Sequence, residues 1–300
     1  MIRGAVLIMT AVTIFTVMQS LIKAADGVPA GEAVFFRSFL ALPVILIWLW
    51  MRHDLRVGLK TNNWRGHAMR GIVGSCAMAL GFAGLRYLPL PEVTALRFIT
   101  PVMIVLFAAL MLGERIRLVR ISAVTMGLVG VLIIMWPRLE FDVGNTALFG
   151  VGLTLGSAGL AALAQVFIKA MTATEKTAAI VFYFSMTASL LSLFTIPFGW
   201  VWPQGMEWVM LIGAGLLGGV GQICLTSSYR HADAGVIAPF TYVSIISAVI
   251  IGYVFFDEVP TWTMAIGAAF IIAAGILIVW RERSLGLKRT AERKVLAQGK

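Results

Sequence analysis

Apolar residues run in ten long blocks, separated by short clusters of charge, proline and glycine. The blocks lie near residues 4–24, 32–50, 66–86, 90–112, 117–136, 146–170, 178–200, 207–229, 235–255 and 260–280. A hydrocarbon layer of about 30 Å is crossed by roughly 20 helical residues, so each block predicts one spanning helix. The first, Ala5 to Ile22 behind Arg3, is too long for the apolar region of a signal peptide and is followed by nine more; it counts as a span. The tryptophans test the division independently, because indole rings favour the membrane–water interface. Trp48, Trp50, Trp64, Trp136, Trp200, Trp202, Trp208, Trp262 and Trp280 all fall at or just beyond a predicted span end.

Composition agrees: 60% of residues are hydrophobic and 13% charged, against roughly 45–50% and 25% in soluble domains. Ten spans leave about 100 residues for nine connections and two tails, so no loop holds a separate catalytic or nucleic-acid-binding domain. The net charge of +10 is therefore a matter of topology. An even number of spans puts both termini on one face. That face carries seventeen Lys and Arg residues, whereas the opposite connections hold Arg86 and Arg138 among several acids. The bias predicts a cell (inner) membrane protein with both termini cytoplasmic. The basic tail over 285–300 reads as a cytoplasmic end near anionic headgroups rather than a nucleic-acid binder. Cys76 and Cys224 have neither disulfide-framework nor metal-ligand spacing and read as core packing.

The chain also repeats itself. Gln19-Ser20-Leu21-Ile22-Lys23 recurs as Gln165-Val166-Phe167-Ile168-Lys169, and Phe35-Phe36-Arg37-Ser38 as Phe182-Tyr183-Phe184-Ser185. Leu85-Arg86-Tyr87 matches Tyr229-Arg230-His231, and Leu112-Gly113-Glu114-Arg115 matches Phe256-Asp257-Glu258-Val259. The offsets stay between 144 and 147, which predicts five-span halves over 1–139 and 140–284. Five is odd, so the second copy enters the membrane from the other face. The expected fold is an all-α membrane protein of ten transmembrane helices arranged as two inverted five-helix repeats. Carriers use that arrangement for alternating access to a central site.

These residues resemble the EamA-type family of the drug/metabolite transporter superfamily. The similarity lies in the two five-span halves, the early arginine of Phe36-Arg37-Ser38-Phe39-Leu40, and the proline-bearing span Thr100-Pro101 with its acidic end Leu112-Gly113-Glu114-Arg115. It covers about residues 1 to 284. The resemblance implies ten helices around a substrate cavity, alternating access, and export of amino acids or other small metabolites. In the second half Ile245 stands where Pro101 stands in the first, and Pro239 comes earlier, in Ala238-Pro239-Phe240-Thr241-Tyr242. That pattern resembles a subset of the family that includes importers, so the direction is open at this point.

Polar groups at membrane depth carry the candidate chemistry, since an ionised side chain there costs at least about 2.5–3.5 kcal/mol. Arg37 and Arg97 sit about 8–10 Å inside their spans and are expected to hold a carboxylate or phosphate through the guanidinium fork; the competing reading is an ion pair with Glu32 or Glu92. Lys23, Lys169 and Arg70 read as side chains reaching towards headgroups, and His67 as interfacial. Gln19, Gln165 and Gln222 lie in apolar stretches and must bond a partner helix or line the cavity. Among Phe35, Phe36, Phe82, Phe98, Tyr183, Tyr229, Phe240 and Tyr242, the hydroxyls of Tyr183 and Tyr242 make those two the foremost wall candidates. The expected substrate site is Gln19, Arg37, Arg97, Phe98, Gln165, Tyr183, Gln222 and Tyr242. Glycines of the third and eighth spans, Gly71, Gly74, Gly81 and Gly84 against the run from Gly213 to Gly221, predict close backbone approach. Pro43, Pro101, Pro197 and Pro239 predict kinks.

No Walker loop, dehydrogenase fingerprint, metal cluster or Ser/His/Asp set stands in a credible context, so neither an enzyme nor a cofactor is expected. The acids sit at span ends, which leaves the coupling ion, exchange and facilitated diffusion open. A membrane enzyme would need a nucleophile at one interface, and a sensor a sizeable signalling domain. The sequence instead predicts a secondary transporter of a small carboxylate-bearing metabolite, with membrane lipids and its substrate as partners, as a monomer or homodimer.

Overall fold

The computed structural model describes residues 2–100, 102–103, 107, 118–140, 146–172, 174–231, 240–241, 243–277 and 280. Each predicted block carries helix. The first span is Ile2–Ala24; the second runs in two pieces, Ala30–Phe39 and Ala41–Met51; the third is Trp64–Gly84, and the fourth begins as Leu90–Arg97. The fifth to ninth are Leu118–Glu140, Thr146–Met171, Thr177–Leu193, Met206–His231 and Val243–Phe256, and the tenth is Trp262–Leu277. Among the described residues there is no strand. Four helices, Ile2–Ala24, Ala30–Met51, Thr146–Ile168 and Met206–His231, are by themselves long and apolar enough to cross a bilayer. Pro101, Glu114, Pro239, Tyr242, the basic tail and the side chain of Lys169 lie outside the described residues.

Local chemistry explains the breaks. Pro43 has no N–H to give the carbonyl of Phe39, and the second span is interrupted at Leu40, one turn earlier. At the fourth span Pro91 occupies the first turn, where a missing N–H costs nothing, and the free N–H of Leu90 donates to Glu258 Oε2 at 2.9 Å. The seventh span stops at Leu193, short of the expected residue 200, in a 3-10 turn over Ile196–Phe198 closed by left-handed Gly199.

The helices are built inside out relative to a soluble protein. Along the eighth span Val209, Ile212, Leu216 and Val220 form an exposed aliphatic stripe. Its opposite face buries Ala214, Gly215, Gly218, Gly219, Gly221, Gln222 and Thr226. Lipid solvates aliphatic chains as well as protein does, so small and polar residues are the ones that gain from helix contact. Trp50, Trp64, Trp136, Trp202, Trp262 and Trp280 are exposed near helix ends, as interface anchors require. Cys76 departs from the expected core role: it is exposed, and both cysteines are free.

Contacts between spans follow a rule. The first packs on the eighth as the sixth packs on the third; the third meets the seventh as the eighth meets the second; the first meets the ninth as the sixth meets the fourth. Second and seventh pair with each other, as do fourth and ninth. Exchanging the two halves leaves this pattern unchanged. The fifth and tenth spans cross reciprocally too. A Cβ on Gly130 would lie 2.6 Å from the carbonyl oxygen of Gly267, and one on Gly267 would lie 2.5 Å from that of Gly130. The same two glycines abut Ile271 and Ile134 respectively, so the contact is alike from either helix.

Candidate substrate cavity

Between the halves lies a cavity of about 330 Å³, within the range of small-molecule sites. Of the expected residues, Gln19, Arg37, Arg97, Phe98, Gln165 and Gln222 line it. Tyr183 does not. Its hydroxyl donates to the Leu59 carbonyl at 3.0 Å and its ring packs on Trp64 and His67, near the start of the seventh span. Phe184, one residue on and therefore about 100° round the helix, faces the cavity instead. Of the other aromatics, Phe82 and Tyr229 line the cavity, while Phe35 and Phe36 pack against Trp200 and Trp208.

Glycines decide where the guanidinium groups go. Arg37, 3% exposed, lies against Gly218 of the eighth span, where a Cβ would come 2.9 Å from its Nε. Its Nη2 donates long bonds to the Gly218 carbonyl (3.4 Å) and Gln222 Oε1 (3.3 Å), while Nε and Nη1 have no partner. Arg70, 5% exposed, was expected to reach back to the inner headgroups. It runs forward instead, one turn up its own helix, into the space left by Gly74, where a Cβ would collide with its Nη1. Its guanidinium carbon sits 3.9 Å from the centre of the Phe184 ring, and that of Arg37 sits 5.5 Å from the same ring. The Nε and Nη1 atoms of Arg70 are likewise unpartnered.

At the other end of the cavity Arg97 Nη1 donates to Gln19 Oε1 at 2.9 Å, and Gln19 Nε2 donates to the Phe15 carbonyl. The alternative ion pairs with Glu32 or Glu92 are not formed: among the described residues no carboxylate lies within 4 Å of Arg37, Arg70 or Arg97. Glu32 accepts the Val201 N–H instead. On the same lining, the Tyr229 hydroxyl donates to Gln165 Oε1 at 3.0 Å. A buried cation without a counter-charge costs several kcal/mol, and orphaned guanidinium N–H groups are matched by the oxygens of an anion. Among the described residues the cavity thus presents guanidinium groups without a paired carboxylate, beside an apolar, aromatic wall.

Outside the cavity lining, two contacts occupy positions read as anchors or interfacial groups. Lys23 pairs with Glu258 at 2.6 Å and also donates to the Leu88 carbonyl, so it is not a free anchor. His67 is buried, with Nε2 3.5 Å from Glu175 Oε2, and Glu175 also accepts the Asn62 N–H.

Tandem helical halves around a buried polar cavity define a multi-pass membrane protein built to enclose a small solute. The chain belongs to the EamA-like transporter family, whose model matches residues 2–136 and again 148–280. It is 34% identical to the pseudopaline exporter CntI of Pseudomonas aeruginosa over 92% of this chain and 93% of that protein. It is 26% identical to a riboflavin transporter of Vibrio cholerae over 90% of each, and to an S-adenosylmethionine uptake transporter of Rickettsia felis over 84% of this chain and 83% of that one. A solved crystal structure shares the fold with a TM-score of 0.66 at 21% identity, covering 94% of this chain and 98% of its own.

Proposed function

We propose that this protein is a secondary transporter that exports a small carboxylate-bearing metabolite across the cell membrane. The observation that carries the reading is the set of three arginines, Arg37, Arg70 and Arg97, lining one cavity with no paired carboxylate among the described residues. Gln19, Gln165, Gln222 and Tyr229 orient polar groups of the substrate; Phe82, Phe98 and Phe184 enclose its apolar part. The greater similarity to a named exporter than to the riboflavin and uptake transporters favours the outward direction.

Alternating access follows from the reading of the halves as inverted copies related by an axis in the membrane plane. The exchange-invariant pairing of spans and the reciprocal Gly130–Gly267 crossing support it, together with the odd number of spans per half. The basic bias supports cytoplasmic termini. Two packings of equal kind, one open to each face, are then related by swapping the conformations of the halves.

The test is direct. A thermal-shift screen of the purified protein against a metabolite panel identifies the ligand, because binding to the folded state raises its apparent stability. Arg37→Ala should then lower binding of that ligand at least 100-fold in reconstituted vesicles, with unfolding temperature near that of wild type. Equal loss of folding and binding would assign Arg37 to structure and sink the proposal.

A further inference from the structure

The three arginines do not form one cluster. Arg70 Nη1 lies beside Gly74 and Arg97 Nη1 beside Gly81, both on the third span. Seven residues separate these glycines, two turns on the same face, or about 10 Å along the axis at 1.5 Å per residue. Arg37 joins Arg70 at the Gly74 end, since both guanidinium groups stand over the Phe184 ring. The cavity thus has two cationic poles, Arg37 with Arg70 at one and Arg97 with Gln19 at the other. The wall between them on the third span is Ala77 and Met78, and Phe82 lies just beyond the second pole.

Resting on the reading of this cavity as the substrate site, we infer that the transported molecule is a two-ended anion. One acidic group docks on the Arg37–Arg70 pair, a second on Arg97, and a linker of mainly apolar character spans the gap. A single carboxylate uses one pole and leaves the other pole's buried charge uncompensated. The two poles also differ in kind. The Arg37–Arg70 end presents four N–H-bearing nitrogens without partners, enough for both oxygens of one carboxylate with donors to spare. At the Arg97 end one nitrogen is already committed to Gln19. The first pole is therefore the stronger anchor and the second the length gauge.

The purified full-length protein in detergent is titrated calorimetrically with unbranched α,ω-dicarboxylates from succinate to sebacate, and with the monocarboxylate of each matching chain length. The expected result is a dicarboxylate affinity at least tenfold above the matched monocarboxylate, with a maximum at one length inside the series. Arg97→Gln should bring the dicarboxylates down to the monocarboxylate level while monocarboxylate binding persists; Arg37→Gln should weaken both series. The ratio of di- to monocarboxylate affinity is read within one preparation, so a partly misfolded variant does not distort it. A ratio near one at every length, with monocarboxylates still lost in Arg37→Gln, would overturn the two-ended substrate and leave the anion cavity standing. Absence of binding by either series would overturn both.

Discussion

The two halves share a skeleton but not a chemistry. Gly71 and Gly74 of the third span have counterparts in Gly215 and Gly218 of the eighth, and in both halves the second of these glycines makes room for a guanidinium. Gln19 and Gln165 face the same cavity from equivalent positions. The charges are not duplicated. Arg37 is opposed by its own counterpart Phe184, and at the positions equivalent to Arg70 and Arg97 stand Ala214 and Thr241. The first half therefore supplies a cationic wall, the second a neutral wall of phenyl ring, amide and phenol. Packing constrains both copies alike, because each must present small residues where its helices meet their neighbours. The substrate constrains only their sum, so one copy was free to hold every charge.

The largest effect should come from moving a charge across that boundary. Arg37→Phe is expected to lower ligand transport in proteoliposomes about 100-fold, and Phe184→Arg by at least as much, since it crowds a third cation against Arg37 and Arg70. The double swap restores one cation and one ring on the same contact. It should recover at least tenfold over either single change, measured as initial rate. A double variant as inactive as the singles would show that the two positions are not interchangeable across the axis. Next in size is Gly74→Ala. The added methyl would collide with Arg70 Nη1 and lie 2.9 Å from the Phe184 ring, displacing the guanidinium. A tenfold or greater loss of ligand affinity is expected, with a smaller loss for Gly218→Ala, where the nearest atom, Arg37 Nε, would stand 2.9 Å from the added methyl.

Arg70 shows why part of the cavity was hidden in the sequence. Its distance from the start of the third span fitted a side chain reaching back to headgroups, the direction that helical Cα–Cβ bonds favour. What reverses it is the missing side chain of Gly74, one turn further on, together with a phenyl ring from another helix, which periodicity does not reveal. The sequence did contain the information that would have replaced Tyr183 by Phe184. The match of Phe35-Phe36-Arg37-Ser38 to Phe182-Tyr183-Phe184-Ser185 pairs Arg37 with Phe184, so a cavity-facing Arg37 implies a cavity-facing Phe184 and turns Tyr183 aside. Preference for a buried hydroxyl overrode that register. The spans themselves were legible because bilayer thickness sets their length and aromatic belts mark their ends. The Gly130–Gly267 crossing was not, since its offset of 137 lies outside the 144–147 run that revealed the repeat. Lys23 and Glu258 were both visible as end-of-span charges, but only the fold brings them within 2.6 Å.

That ion pair ties the first half to the second and gives a smaller, purely structural prediction. Glu258 accepts from both Lys23 and the Leu90 N–H. Glu258→Ala leaves the Leu90 N–H unmatched and the Lys23 ammonium without its counter-charge and should cost about 1–3 kcal/mol of stability, read as lowered unfolding temperature in detergent. Glu258→Gln keeps an acceptor for Leu90 and should cost less. Equal losses would mean that the charge on Lys23, not the capping of the fourth span, dominates.

The smallest effects separate the two tyrosines. Tyr229→Phe removes the donor to Gln165 inside the cavity; a neutral hydrogen bond is worth about 1 kcal/mol, so ligand affinity should fall about fivefold. Tyr183→Phe removes a bond to the Leu59 carbonyl outside it. The loss there is of the same chemical size, but it falls on the loop between the second and third spans. Ligand affinity should therefore change less than about twofold, while unfolding temperature drops by a few degrees for the roughly 1 kcal/mol removed. Both variants keep the aromatic ring, so neither opens a void, and the contrast isolates the position of the hydroxyl. If Tyr183→Phe weakened ligand binding as much as Tyr229→Phe, the first turns of the seventh span would belong to the substrate path, and the neutral wall would extend well beyond Phe184.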